Sequence, residues 1–282
     1  MRAKEFIIES GEYEDAYVQP DERAQTDGYI TKLAQEIRQA CGPFIQANHA
    51  EMKANNFMYR GVKGAQTSDM VIKGSVRTDR YPRDTPTQWH EVLDQFFLKQ
   101  FGTKYRSASL FATNDVNNTY DYGVPYIIFP VGNYKMCYSP IIEDVTVDLS
   151  GGLSTMQTKL SPTVQIIIND IPDDEIERIA TSLDLPIKDS IDLTLAIRDF
   201  SLGKKRTDTW NGYGDYVRRY DGPNFPTMLV DFILPKLQYR ETAKFYDAND
   251  SEIMIDCQGY YGVRSTRNSP AARDRLLDMI LS

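Results

Sequence analysis

Apolar residues first recur at helical spacing near the start of the chain, where Ile30, Leu33, Ile37 and Cys41 share one face of a helix predicted over Asp27 to Cys41. Gly42-Pro43 follows. Proline has no N–H to continue the ladder, so this pair is predicted to stop the helix, with a second short helix over Phe44 to Lys53. The run Phe57-Met58-Tyr59-Arg60-Gly61-Val62 then reads as a strand with one arginine inside it. Val71 to Val76 reads as a strand or an irregular connection. The best-marked helix comes next: Thr85 is its N-cap, Pro86 suits the first turn, and Gln88 stands where a capping box needs it. Trp89, Val92, Leu93, Phe96 and Phe97 form its buried stripe, and Gly102 ends it.

Beyond Gly102 the period shortens to two. Tyr105 to Ala112 reads as a strand, Asp115 to Tyr122 as a loop or short helix, and Tyr126 to Phe129 as a buried strand closed by Pro130-Val131-Gly132. Tyr134 to Tyr138 is a strand placed to pair with it. Val145, Val147 and Leu149 alternate along another, ending at Gly151-Gly152. Val164 to Ile168 is one more apolar strand. Helices are predicted from Asp173 to Pro186 and from Ile187 to Leu202, before a polar loop holding Lys204-Lys205-Arg206. Met228 to Leu234 is a short apolar element. Strands at Ile253 to Ile255 and Tyr260 to Val263, and a helix over Ala271 to Leu281, finish the chain. The pattern divides into an acidic N-terminal arm (1–26), a sheet-forming domain (27–150 with 245–282) and a mostly helical insertion (151–244). This is an α+β chain.

Composition narrows the chemistry. The 282 residues give 41% hydrophobic and 26% charged content, ordinary for a water-exposed globular protein. A formal charge of −8 argues against general affinity for nucleic acid, although Arg77, Arg80 and Arg83 could form a local rim for an anion. Three scattered cysteines, no C-x-x-C, and only His49 and His90 make a zinc site unexpected and suit a reducing compartment. His90 reads as a surface or satisfied core histidine. No segment approaches the length of a membrane span, and the N-terminus lacks a signal peptide's apolar region, so the reading is cytoplasmic, without a membrane partner. Gly203-Lys204-Lys205 is not a phosphate-binding loop, and Gly212-Tyr213-Gly214 lacks the context of a dinucleotide fingerprint.

Three segments carry the candidate chemistry. Arg60 on its strand is a rigid, always-charged fork suited to two phosphate oxygens, and Gly61 leaves room for another backbone or a ligand. The segment by itself also suits an ordinary edge-strand arginine. The run Arg106 to Asn114 is rich in small hydroxyls: Ser107, Ser109 and Thr113. In Asp250-Ser251-Glu252, carboxyls at i and i+2 would share a face if the residues lie on a strand.

An aromatic-Arg-Gly strand, a hydroxyl strand and an acid-x-Glu strand, in that order, resemble the arginine–serine–glutamate ADP-ribosyltransferases. The resemblance implies a split β-sheet core and NAD as substrate. Arg60 and Gly61 would bind NAD, and Ser107 or Ser109, or else Thr113, would brace the nicotinamide pocket. Glu252 would be the catalytic acid. Asp250 stands where the family has Glu or Gln, in the position that activates the acceptor. The first position excludes the sibling histidine–tyrosine–glutamate class. Cleaving the nicotinamide–ribose bond builds positive charge on the ribose, as in glycoside hydrolysis, and a carboxylate there stabilises it.

The segment Arg77 to Tyr138, with its RYPRDTP turn, RSASLFAT and IFPVGNY, also resembles a region of tailed-phage proteins. That implies a protein acting in the host cytoplasm or associated with a virion. The expected function is transfer of ADP-ribose to a host protein or nucleic acid. The alternative is a non-enzymatic virion or interaction protein that keeps the same sheet.

Overall fold

The computed structural model describes residues 27–63, 70–80, 87–150, 160–183, 187–201, 228–246, 248, 250–265 and 270–282. The N-terminal arm, the Thr85-Pro86 cap, Arg83, the Gly151-Gly152 and Pro186 stops, Lys204-Lys205-Arg206 and Gly212-Tyr213-Gly214 lie outside these residues. Described residues within 81–104 and 141–239 form one compact unit, and the others form a second.

The second unit holds two four-stranded sheets in which every pairing is antiparallel. One sheet has the order β1 (Tyr59–Val62), β4 (Val124–Pro130), β8 (Gly259–Arg264), β2 (Val71–Ser75). The other runs β3 (Leu110–Ala112), β7 (Ile253–Asp256), β5 (Lys135–Tyr138), β6 (Arg240–Thr242). Among the described residues one isolated bridge, Tyr59 to Thr113, joins β1 to the end of β3. The β5 strand, expected to pair with β4, lies instead in the other sheet. Gly132 lies between them with a left-handed φ of +71°, and the Val131 N–H bonds Gly259 instead of continuing a hairpin.

Helix α1 (Asp27–Lys53) lays Ile30, Leu33, Ile37, Cys41 and Phe44 onto this core, as its periodicity predicts, and packs against α8 (Pro270–Ile280). Gly42-Pro43 divides it as predicted: two helical stretches meet across a kink at Cys41, which leaves helical geometry at φ −112°, ψ 15°. The Ala40 carbonyl accepts the Gly132 N–H at 2.8 Å, so the kink leaves that acceptor satisfied. At a second irregularity, Asn48 donates to the carbonyls of Phe44 and Ala243, tying α1 to the chain beyond β6.

The first unit is helical: α2 (Thr87–Phe101), α4 (Val145–Ser150), α5 (Pro162–Asn169), α6 (Asp173–Leu183), α7 (Ser190–Ser201), and a π-helical turn over Leu229–Ile233 that narrows to a 3-10 turn over Leu234–Leu237. The α2 helix clusters here although it precedes the predicted insertion. Gly102 ends it at φ +77°. Two predicted strands are helices. In α4 the alternation of Val145 and Leu149 coincides with an i, i+4 helical face, and both side chains are buried. In α5 the Ile-Ile-Ile run invites a strand, but Ser161 caps the Val164 N–H and Pro162 occupies the first turn. Among the described residues no helix is long and apolar enough to cross a membrane.

Candidate functional site

The predicted Tyr105–Ala112 strand begins as one helical turn, α3 (Tyr105–Ala108), and becomes β3 only at Leu110. The difference settles what the hydroxyls do. Ser107 lies on α3, where its carbonyl accepts the Arg80 N–H at 3.0 Å. The buried Ser109 hydroxyl donates back to the Tyr105 carbonyl, closing that turn. Thr113 is buried at the far end of β3, where it exchanges both backbone hydrogen bonds with Tyr59 at 2.6 and 2.9 Å. Of the three hydroxyl residues offered by the sequence, Thr113 is therefore the one bridged to the Arg60 strand, at Tyr59.

The two sheets part at this bridge. Thr113 turns its N–H and carbonyl toward β1, so two residues back Phe111 points its carbonyl the same way, away from the β7 ladder. Along its other edge β1 pairs with β4 from Tyr59 to Val62, and past the bridge the Arg60 guanidinium donates to the Phe111 carbonyl at 2.9 Å. Arg60 is buried, not an exposed edge residue. Gly61 is needed for the chain itself: a Cβ there would lie 2.2 Å from the Thr119 carbonyl oxygen and 2.7 Å from the Tyr122 Cβ, in the 3-10 helix Val116–Tyr122. Another backbone, not a ligand, fills the room its missing side chain leaves.

The Phe111 ring gathers two further arginines. The guanidinium of Arg80 lies 4.8 Å from its centroid and that of Arg106 lies 4.9 Å away. Arg106 also forms an ion pair with Glu252, both side chains being almost completely buried. Arg60 and Glu252 thus approach the same residue, one at its carbonyl and the other through Arg106 at its ring. Arg80 is buried, whereas Arg77 stays exposed and pairs with Asp79 at 3.3 Å, so the predicted basic rim divides between core and surface. Sequence reasoning missed the roles of Arg80 and Arg106. The one signal available was an arginine directly before a run of small residues that permits a tight helical turn.

Asp250 and Glu252 do not share a face as strand neighbours. Asp250 lies before β7 in the left-handed region at φ +63°, exposed, with its N–H held by Asn114 Oδ1 at 2.8 Å. Between them the buried Ser251 hydroxyl donates to the Ser139 carbonyl at 2.7 Å. The i, i+2 rule fails because the strand starts only at Ile253.

Other chemistries find little support. Burial pushes the thiols of Cys41 and Cys257 up to about 12 and raises Cys137 further, which disfavours the thiolate a nucleophile needs. His90 is buried, with Nε2 3.5 Å from Asp94 Oδ2 one turn along α2. Among the described residues no cluster of His, Cys, Asp and Glu could hold a metal. Two clefts of about 270 and 170 Å³ open on the two-sheet unit, and neither is lined by Arg60 or Glu252. No protein-family model, curated protein or solved structure matches the chain.

Proposed function

We propose that the protein transfers ADP-ribose from NAD to a host macromolecule, releasing nicotinamide, and that it is a bacteriophage protein acting in the host cytoplasm. One observation carries this reading. The three motif-bearing segments lie side by side, with β7 paired to β3 and the end of β3 bridged to β1, so Arg60 comes from β1 while Thr113 and Glu252 flank the ends of β3 and β7 in an antiparallel core. Residues far apart in sequence would converge this way if they served one ligand. Arg60 would hold the diphosphate of NAD, with Thr113 next to it. Arg106 fixes the orientation of the Glu252 carboxylate, which would stabilise positive charge developing on the ribose. The exposed Asp250 is left to face the acceptor.

A second reading, a non-enzymatic virion or interaction protein with the same sheet, is favoured by one specific feature. Both key side chains already have partners inside the protein: Arg60 on the Phe111 carbonyl and Glu252 on Arg106.

Incubating the purified protein with labelled NAD and a bacterial lysate separates the two. Transfer predicts nicotinamide release and a labelled acceptor, with release falling about 100-fold or more in Glu252→Gln under conditions where circular dichroism shows the variant folded. Unchanged release in Glu252→Gln removes the assignment. If the wild-type chain releases no nicotinamide and gives no heat on NAD titration, the binding-protein reading replaces it.

A further inference from the structure

Each of the two sheets ends in two terminal strands. β1 and β3 meet at the Tyr59–Thr113 bridge, and β6 is three residues long. The remaining one, β2 (Val71–Ser75), is five residues long and pairs with β8 along one side only. Its register fixes which backbone groups face outward. The Met70 carbonyl accepts the Arg264 N–H at 2.9 Å, so the ladder to β8 runs through Met70, Ile72 and Gly74. The N–H and C=O groups of Val71, Lys73 and Ser75 therefore point to the opposite side, where they meet no partner among the described residues. The pairing runs without a bulge, and β2 contains no proline. The Tyr260 ring lies across Gly74, within 2.5 Å of where a Cβ would stand, which leaves the edge flat at that point. Lys73, exposed, is the one charge on β2. Its ammonium lies 5.1 Å from the centroid of the Tyr261 ring, its cross-strand neighbour, and forms no ion pair among the described residues.

We propose that the free edge of β2 receives an extended segment of a partner polypeptide as one more antiparallel strand, with an aspartate or glutamate of that segment opposite Lys73. Three outward N–H groups alternating with three outward carbonyls match the backbone of a strand, and main-chain hydrogen bonds supply affinity in this mode of recognition. Side chains then choose the partner. A carboxylate opposite the Lys73 ammonium forms a favourable cross-strand pair, and a cation there is repelled. The same charge disfavours a second copy of this chain. In the antiparallel register that engages all three outward residues, Lys73 would stand directly opposite its own counterpart. A lysine on an open edge thus guards against self-pairing while leaving the edge available to an acidic segment. The proposal does not rest on NAD chemistry and would hold for a chain that never binds NAD.

The isotope-labelled full chain is titrated by NMR with the end-blocked peptide Val-Thr-Glu-Thr-Val, which can set its glutamate opposite Lys73. Two controls run in parallel: the peptide with lysine in place of glutamate, and the peptide N-methylated at the glutamate, which loses the central backbone donor. The expected result is saturable shifts and slowed hydrogen exchange at the amides of Val71, Lys73 and Ser75 with the glutamate peptide. The lysine peptide should bind about fivefold more weakly, and the N-methylated peptide not at all. Lys73→Glu should reverse the order of the glutamate and lysine peptides. Ser75→Pro removes an outward N–H and none of the bonds to β8, so it should weaken binding severalfold in a chain that circular dichroism shows folded. No binding, equal binding of the N-methylated peptide, an unchanged order in Lys73→Glu, or shifts confined to other residues overturns the proposal. Dimerisation of the wild-type chain that protects the same three amides without peptide would assign the edge to a second copy and overturn it too. Glu252→Gln should bind the glutamate peptide like wild type, so this result and the nicotinamide assay fail or succeed separately.

Discussion

The Arg106–Glu252 pair is the feature of this fold most open to a quantitative test. Both side chains are nearly inaccessible, at 4% and 6% exposure, and their contact joins α3 to the start of β7. Glu252→Gln keeps the size of the side chain and an oxygen for Arg106, and removes only the charge. With an effective dielectric of about 20, two unit charges about 4 Å apart attract by roughly 4 kcal/mol, before any allowance for desolvation. Removing one member of a buried pair typically costs about 3–5 kcal/mol, because the other charge stays buried. Gln retains a neutral hydrogen bond, so the expected loss is about 2–4 kcal/mol. With a urea slope of about 2 kcal/mol per molar, the unfolding midpoint of the two-sheet unit should fall by roughly 1–2 M. Arg106→Met should cost a similar amount. The double variant should be less destabilised than the sum of the two, by about 1–3 kcal/mol, since neither charge then lacks its partner. Urea denaturation followed by circular dichroism, on all four members of the cycle, measures this coupling. Additive losses, or a Glu252→Gln loss below about 0.5 kcal/mol, would show that the pair contributes nothing to the folded state, and the convergence on Phe111 would lose its electrostatic basis.

Two further outcomes follow from the packing and the charge. Gly61→Ala places a methyl group against the Thr119 carbonyl, which is backbone and cannot turn aside, so denaturation should report a loss of about 2–3 kcal/mol; a loss under 0.5 kcal/mol would mean the 3-10 helix does not rest on β1. Asp148 is raised to about 6, first by burial, with Asp144 and Glu143 adding to the effect and the Ser161 hydroxyl and Asp144 N–H opposing it. Its folded pKa lies above the unfolded value, so its favourable contribution is complete below about pH 4 and is lost as pH rises through about 6. Asp148→Asn should therefore stabilise the helical unit at pH 8, by about 1–2 kcal/mol after allowing for its partial exposure to solvent, and change little at pH 4. Thermal melts at the two pH values check this, and an equal effect at both refutes it.

Periodicity made much of the fold legible. The α1 stripe, the α2 stripe with its Gly102 stop, and the strands of β1, β4, β7 and β8 all stand where their patterns indicated. Two of the errors share one cause. In Val145–Leu149 and Val164–Ile168 a β-branched run fits both periods, and tertiary burial with local capping decides for the helix. In Tyr105–Ser109 a single turn intrudes before the strand, too short for any periodic signal. The partner of β5 was illegible for a different reason. Which strands pair depends on Gly132 turning the chain out of the hairpin, and the sequence there does not fix the direction of the turn. At the site, the adjacency of Arg60 and Thr113 depends on one bridge, and no pattern along the chain encodes a bridge between segments so far apart.

That bridge also explains why an arginine occupies the split. Had β1 continued along β3 beyond Tyr59, its backbone would have taken the Phe111 carbonyl and the two sheets would have merged. Because β1 leaves β3 after Tyr59 while its other edge stays paired to β4, that carbonyl falls at the parting line, where the Arg60 guanidinium supplies a donor; a buried acceptor left unsatisfied costs about 1–3 kcal/mol. A lysine or glutamine would bring a donor too, but the Arg60 fork reaches across the gap in a fixed plane and carries a charge to the same place. An anionic ligand arriving there competes with a neutral carbonyl for that guanidinium, and charge-assisted hydrogen bonds are about twice as strong as neutral ones. Donating to the Phe111 carbonyl gives Arg60 a structural duty at the split, and the phosphate role proposed above would require a ligand to draw it from that carbonyl. The geometry that makes it structurally necessary is also the geometry that aims a buried positive charge along the line where the two sheets part.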